Sequence, residues 1–198
     1  FVEVSGILKA LASNLLKIST DLRILSSGPD GGIGEIILPA RQAGSSIMPG
    51  KVNPVIPEAV SQAAMMVMAN DTAIAHACSA GNLDLNQFMP LIADTILTNI
   101  QLLANACDIF AKFCISRIQP DEKRCSQNVE TSTAIVTALV EKIGYKTAQQ
   151  IAIAAKNENK TIRQIVLEKA IMAETEFNNL ISSQKITMLG SAIDTEKK

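Results

Sequence analysis

Three long stretches of the chain repeat apolar residues at alternating spacings of three and four, the spacing of one face of an α-helix. The first stretch runs through Val4, Leu8, Leu11, Leu15, Ile18, Leu22 and Leu25. The second runs through Ile56, Val60, Ala63, Val67, Ile74 and Ala77. The third runs through Met89, Ile92, Ile96, Asn99, Leu103, Ala106, Phe110 and Phe113. The second helix is expected to start at Pro54 or Pro57, because proline suits a first turn, and three helices of this length predict a bundle.

Each predicted helix also has apolar residues outside its stripe. They include Ile7, Leu16, Met65, Met66, Leu102 and Ile109. A wide apolar face can contact more than one neighbour, so we expect helix packing between subunits as well as within one. Asn70 and Asn99 lie on otherwise apolar stripes, where buried asparagines can specify the register of a bundle.

The pattern becomes shorter and more polar after Arg117, where Gln119 to Glu122 form a turn and a helix start. Shorter helices are predicted near residues 128–143, 146–157, 161–169 and 174–180. Gly144 is expected to close the first of them and Thr161 to cap the third. We therefore predict an all-α fold with two domains, a long-helix bundle over residues 1–120 and a small α-helical domain over residues 121–198. The polar tail after Ser191 is expected to fray.

Composition excludes several classes of protein. The chain has 198 residues, 47% of them hydrophobic, and a formal net charge of -1, so it can bury a core but lacks the basic stripe that nucleic acid requires. Its most apolar stretch, residues 60–80, is interrupted by polar residues and argues against a membrane span. Those residues are Ser61, Gln62, Asn70, Asp71 and His76.

The cysteines and the first residues indicate the setting of the protein. Four cysteines (Cys78, Cys107, Cys114 and Cys125) show no CxxC spacing, which favours a reducing cytoplasm and argues against a metal site. Residues 1–12 have neither an initiator methionine nor a basic segment. They are typical of the middle of an amphipathic helix, so we expect a further segment upstream.

The long loop of residues 26–53 separates the first two predicted helices. It is rich in glycine and proline, which cannot propagate a helix. Loops of this length inside a domain are usually functional or disordered. An ordered, docked loop is favoured because apolar residues interleave with the glycines, namely Ile33, Ile36, Ile37, Leu38, Ile47 and Met48.

The end of this loop, Gly44-Ser45-Ser46-Ile47-Met48-Pro49-Gly50-Lys51-Val52-Asn53-Pro54, concentrates hydroxyls, glycines, a lysine and an amide before a long helix. Glycines can expose consecutive backbone N–H groups, the helix start is electropositive, and Lys51 adds a full charge. These features suit a carboxylate or a phosphate. A simple surface linker is the alternative that the spacing leaves open.

This segment resembles the signature of the aspartase/fumarase superfamily, Gly-Ser-Ser-x-Met-Pro-x-Lys-x-Asn-Pro, and every fixed position matches. The resemblance extends upstream to Ser26-Ser27-Gly28-Pro29 and downstream through the helical layout. Ile47, Gly50 and the continuation Val55-Ile56-Pro57-Glu58 resemble aspartases more than argininosuccinate or adenylosuccinate lyases, and class II fumarases are similar too. Many members have arginine after Ser-Gly-Pro, where this chain has Asp30.

The resemblance implies a reaction and a role for each matching residue. Aspartases reversibly eliminate ammonia from L-aspartate to give fumarate through an enediolate intermediate, with no metal or organic cofactor. By position, Ser45 resembles the general base, and Glu58 resembles a glutamate that orients a histidine of another subunit. Ser46, Lys51 and Asn53 resemble substrate-binding residues, and the loop is completed by Gly44, Met48, Pro49 and Gly50.

Alternatives remain for several of these residues. Lys51 could be a solvated surface lysine, and Asn53 could cap the following helix. His76, the one histidine in the chain, is expected to be a packed or interface residue rather than a catalytic one.

The resemblance also implies a homotetramer in which four subunits pool their long helices and each active site takes loops from three subunits. The chain would supply one of those three regions, so the 198 residues alone are expected to be inactive. A class II fumarase, hydrating fumarate to malate, is the alternative enzyme. A helical assembly module without catalytic activity is the alternative from another class.

Overall fold

The computed structural model describes residues 1–42, 44, 48 and 51–187. Three long helices fill the first part of the chain, namely α1 (Val2–Leu25), α2 (Val55–Ser79) and α3 (Met89–Phe113). They confirm the predicted all-α fold, and their bounds follow the three apolar stretches. Pro54 is the N-cap of α2, so the earlier of the two predicted starts is the correct one.

The core of this bundle forms where α2 packs against both α1 and α3. The main cluster of buried side chains consists of Ala12, Leu15, Val60, Ala64, Val67, Leu103, Ala106, Phe110 and Cys114. A second cluster closes the far end, with Ile74, Ala77, Ile92 and Ile96. The α3 stripe was therefore predicted almost residue by residue, and the α2 stripe is correct at Val60, Val67, Ile74 and Ala77.

The predicted stripe of α1 is only partly correct. Its buried residues are Ser5, Ala12, Leu15 and Ser19, whereas Val4, Leu11 and Ile18 are exposed. Serine and alanine take up little volume, so they allow the backbones of α1 and α2 to approach closely. Val4, Leu11 and Ile18 lie outside this contact, whereas Leu8, Leu16 and Leu22 are half-buried against the main core cluster.

Asn70 and Asn99 were expected to specify the register of the bundle, and they contact each other across α2 and α3. Asn70 Nδ2 donates to Asn99 Oδ1 at 2.7 Å, and Asn99 is fully buried. A one-turn slip of either helix would separate the two amides and leave both without this partner. The pair therefore favours a single register of α2 against α3.

Asp71 ties α1 to α2 at the same level of the bundle. Its Oδ1 accepts a 2.6 Å hydrogen bond from Ser5 Oγ, and its Oδ2 pairs with Lys9 Nζ at 2.9 Å. The Ser5 hydrogen bond, followed by the Lys9 hydrogen bond, lowers the pKa of Asp71 below its ordinary value of 3.8. The ionised carboxylate is thus the form that the folded chain stabilises.

Replacing Asp71 with asparagine should therefore destabilise the chain by about 1 kcal/mol at neutral pH. Because the folded-state pKa is depressed, this contribution is complete above the unfolded value of 3.8 and is lost as the pH falls through the folded pKa. Urea unfolding of both proteins across an acidic pH series measures it. The exposed Asp108–Lys112 pair is a matched control, and Asp108→Asn should cost less. If the difference in unfolding free energy between wild type and Asp71→Asn stayed constant into strong acid, the ionised carboxylate would not be the source of the stabilisation.

The described residues divide into two compact units between Asp121 and Glu122. The second unit contains α4 (Glu122–Thr131), α5 (Val136–Ile143), α6 (Tyr145–Glu158), α7 (Ile162–Glu168), α8 (Glu174–Leu180) and α9 (Ser183–Ile186). Its core is a separate cluster built around Leu139, Ile151, Ile165, Val166 and Phe177. Residues after Thr187, including the tail expected to fray, lie outside the described residues.

Local signals in the second unit were mostly correct. Thr161 and Gln164 form a reciprocal capping box at the start of α7, and Gly144 ends α5 with a φ of 76°. The single helix predicted over residues 128–143 is wrong. Ser132 accepts a hydrogen bond from the backbone of Ala134 and starts a short 3-10 helix at Thr133–Ile135, which separates α4 from α5.

Within the described part of the chain, no helix combines the length and apolar character needed to cross a membrane.

Candidate functional site

The long loop is docked on the bundle by a short strand pair. Strand β1 (Ile36–Ile37) pairs antiparallel with β2 (Gln119–Pro120), just after α3. The backbone N–H of Asp121 adds a 2.9 Å hydrogen bond to the carbonyl of Glu35. These contacts place the first half of the loop beside the carboxyl end of α3.

Apolar contacts continue this docking toward the start of α2. Leu38 packs against the main core cluster, and a shallow crevice there is lined by Leu38, Pro39, Pro54, Val55, Ile56, Pro57, Phe113 and Cys114. Burial raises the pKa of the Cys114 thiol, so this cysteine stays protonated and serves packing. The docked-loop prediction is thus correct at Leu38, whereas Ile33, Ile37 and Met48 are exposed.

Arg41 adds a directional contact that the sequence analysis missed. Its Nε donates to the carbonyl of Phe113 at 3.3 Å, and its guanidinium carbon lies 4.7 Å from the centre of the Phe113 ring. Phe113 is the last residue of α3. Because 72 positions separate the two residues, no local pattern pointed to the contact.

The turn that opens the loop is held by Ser27. Its hydroxyl donates to the carbonyl of Ile24 at 2.5 Å and accepts from the backbone N–H of Ile33 at 3.2 Å. Gly32 lies so close to the backbone of Ser27 that a Cβ there would overlap it. Asp30 is exposed on this turn. The upstream match to the family signature therefore corresponds to a tight turn with a structural role.

The two limbs of the signature segment meet at Gly44 and Lys51. A Cβ built on Gly44 would overlap the backbone carbonyl of Lys51, so this approach requires glycine. The Lys51 N–H donates to the carbonyl of Met48 at 3.2 Å. Gly44, Met48 and Lys51 thus form the base of the loop.

Four of the predicted site residues lie outside the described residues. They are Ser45, Ser46, Pro49 and Gly50. Their roles as general base, substrate ligand and loop residues stay predictions. Gly44 and Lys51, which flank these four positions, are among the described residues.

Lys51 and Asn53 lie in the connection that leads into α2. Lys51 is exposed and Asn53 is half-buried. The capping alternative for Asn53 is wrong, because Pro54 is the N-cap of α2 and no side chain among the described residues caps this end. The Asn53 carbonyl instead accepts from the N–H of Val55 at 2.9 Å. Lys51, Asn53 and a helix start without a side-chain cap thus follow one another along the chain, a combination that would suit an anion.

Glu58 lies in the first turn of α2, one helical turn from Pro54. Its Oε1 is 3.9 Å from Nη2 of Arg23 in the last turn of α1, and its side chain is 39% exposed. At this distance the pair is a loose ion pair rather than a hydrogen bond, so the carboxylate keeps oxygens free for another donor. The ion pair between Arg23 and Glu58 is the second contact that the sequence analysis missed, after that of Arg41 with Phe113.

His76 lies near the end of α2 and is exposed in this chain. The expectation that it packs within the chain is therefore wrong, and the interface alternative stays a prediction. Among the described residues, no group of three or more histidine, cysteine, aspartate or glutamate side chains is arranged to hold a metal ion.

Comparison with known proteins places this arrangement in a family. Residues 1–69 match the family model described as Lyase, and residues 135–188 match the one described as Fumarase C C-terminus. An aspartate ammonia-lyase of Pseudomonas canavaninivorans is 46% identical over 94% of this chain and 39% of its own length. A class II fumarate hydratase of Bacillus anthracis is 44% identical over 93% of this chain and 40% of its own length.

Solved structures agree in fold. A fumarate lyase:delta crystallin from Brucella melitensis, bound to cobalt, has a TM-score of 0.86 and 44% identity, covering 91% of this chain and 39% of that one. A recombinant class II fumarase from Schistosoma mansoni has a TM-score of 0.82 and 32% identity, covering 96% of this chain and 40% of that one. The chain spans about two fifths of the length of the relatives it matches. It belongs to the aspartase/fumarase superfamily of lyases.

Proposed function

We propose that the protein containing this chain is an aspartate ammonia-lyase, which eliminates ammonia from L-aspartate to give fumarate. The observation that carries the proposal is the complete signature segment from Gly44 to Pro54, attached to a bundle whose base brings Gly44 against Lys51. Aspartate ammonia-lyases are among the relatives, at 46% and 47% identity. The continuation from Val55 to Glu58 favours an aspartase over argininosuccinate and adenylosuccinate lyases, and class II fumarases are similar there.

The chemical problem is the carbanion formed when the carbon next to a carboxylate loses its proton. Its charge spreads into that carboxylate as an enediolate, which needs donors and cations fixed in advance around it. Ser45 is proposed to remove the proton, and its alkoxide needs a field of backbone N–H groups and the nearby Lys51 charge. Ser46 would supply further hydrogen bonds to the substrate.

Lys51 and Asn53 are proposed to hold the substrate. Lys51 would pair with a substrate carboxylate, an interaction worth several times more in a partly desolvated site than in water. The Asn53 amide can donate to a carboxylate oxygen and accept from the ammonium group. The Asn53 side chain does not cap the start of α2, so its amide is available for this role.

Glu58 is proposed to orient a histidine contributed by another subunit, as a carboxylate fixes the tautomer of an imidazole in other catalytic sites. Its loose pairing with Arg23 leaves room for such a second partner.

The proposal includes a homotetramer in which residues 1–120 belong to a central bundle domain and residues 121–198 to a small helical domain. Large apolar side chains that the chain itself does not cover support this assembly. They include Val4, Ile7, Leu11, Ile18, Met65, Met66, Leu97 and Ile100. Reduced cysteines at all four positions fit the cytoplasmic location that we also propose, and the mechanism calls for no cofactor.

The forward reaction tests this function. The full-length protein should release fumarate from L-aspartate, measured by ultraviolet absorbance, and should leave L-malate unchanged. The 198-residue chain is the comparison, and it should release no fumarate because other subunit regions complete the site. Fumarate from malate but not from aspartate would replace the proposal with the fumarase alternative, which the 44% identity to a class II fumarate hydratase also supports. Turnover of neither substrate would favour the assembly module.

A further inference from the structure

Arg41 lies between the docked half of the loop and the signature segment. The geometry points to Arg41 as a positioning residue: held on Phe113, it sets the base of the loop where Gly44 meets Lys51, and so sets the place of the Lys51 ammonium. This inference rests on the proposed function, because the consequence of that placement is affinity for a substrate carboxylate.

Two contacts of different kinds orient the Arg41 guanidinium. One is the 3.3 Å hydrogen bond from Nε to the Phe113 carbonyl, and the other is the stacking 4.7 Å from the ring centre of the same residue. The carbonyl belongs to the last turn of α3, where carbonyls lack helical partners and the helix end is electronegative. A planar cation can satisfy both contacts at once, whereas a lysine ammonium can satisfy only one of them at a time.

The contact between Arg41 and Phe113 is close in sequence to the loop base and can therefore influence its position. On one side, Leu38 is half-buried and packs against the main core cluster. On the other, Gly44 follows Arg41 by three positions and lies against the Lys51 backbone too closely for any side chain. A shift of the chain at Arg41 would therefore be passed to Gly44 and, through that close approach, to Lys51.

The expected effect is moderate because both partners are accessible to solvent. Phe113 is 40% exposed, and Arg41 is exposed as well. An exposed cation–π contact and one hydrogen bond together correspond to roughly five- to tenfold in an equilibrium constant. Since Arg41 does not take part in the proposed chemistry, the loss should appear in KM rather than in kcat.

Steady-state kinetics of the full-length enzyme tests the link to substrate. Arg41→Ala and Phe113→Leu should each raise KM for L-aspartate roughly fivefold with kcat nearly unchanged. Arg41→Lys should recover only part of the loss, and the double variant should be no worse than the poorer single variant. Lys112→Ala is a matched control, since Lys112 lies in the last turn of α3 and pairs with Asp108. It should leave KM unchanged.

Amide hydrogen exchange of the same full-length variants gives a readout that does not depend on turnover. Arg41→Ala should speed exchange at Gly44 and Lys51 while the core of α3 keeps its protection. Unchanged exchange would overturn the positioning role. If the enzyme proved to act on malate, KM would be measured for malate, and the exchange criterion would stay the same. Faster exchange with an unchanged KM would overturn the link to Lys51. If the wild-type protein were inactive, the proposed function would be rejected. The exchange result would still test the positioning role of Arg41.

Discussion

Replacing Ser45 with alanine in the full-length enzyme is expected to lower kcat roughly 1000-fold, the contribution typical of a general base. Alanine has no group that can accept the proton, so carbanion formation becomes the slow step. Substrate binding should change little, because Lys51 and Asn53, the proposed carboxylate ligands, are retained. Steady-state kinetics with L-aspartate, together with circular dichroism and the oligomeric state, measures both parts of this expectation.

A serine elsewhere in the same unit gives the control for this substitution. Ser116 donates to the carbonyl of Lys112, four residues earlier in the last turn of α3, on an exposed surface, so Ser116→Ala should keep wild-type kcat. If Ser45→Ala kept ordinary turnover in a folded assembly, the base would have to be another group. A Ser45→Ala protein that lost its assembly would place Ser45 in folding instead of chemistry.

Replacing Gly44 with alanine should lower kcat/KM about 100-fold, the loss expected when catalytic groups are displaced by about 1 Å. The new methyl group would overlap the Lys51 carbonyl, so the two limbs of the loop must separate. Lys51 and the residues between Gly44 and Lys51 would move with the backbone. Neither Gly44 nor Lys51 lies in a helix or belongs to the main core cluster, so thermal unfolding should change much less than activity.

Gly31 offers a matched control in the same loop, because a Cβ there meets nothing within 4 Å. Gly31→Ala should therefore keep wild-type kinetics and stability. Equal losses from Gly31→Ala and Gly44→Ala would mean that general loop flexibility, rather than the approach of Gly44 to Lys51, decides activity.

The sequence predicted the elements that depend on local pattern. The α3 stripe from Ile92 to Phe110 alternates by three and four without a break, so it located both the helix and its buried face. The same reasoning misjudged α1, because a search for large apolar residues overlooks a face made of Ser5, Ala12 and Ser19. Small residues, together with Leu15, form the buried face of α1, whereas Val4, Leu11 and Ile18 are left on the outside.

Contacts across long sequence separations could not be predicted. The pairing of β1 with β2 joins residues near 36 to residues near 120, and Arg41 reaches Phe113 across a similar span. Neither contact leaves a periodic signal, because each depends on where α3 ends in space. The residue types of the loop indicated an anion site, and the family resemblance supplied the individual roles. The structure adds the base on which Gly44 and Lys51 meet.

The measurement that tests the central claim most directly is the reverse reaction in the presence of isotopically labelled ammonium. The full-length protein is incubated with fumarate and labelled ammonium, and separately with fumarate alone, and the products are analysed by mass spectrometry. The account predicts labelled L-aspartate in the first reaction and no malate in either. Malate in both reactions without labelled aspartate would contradict it.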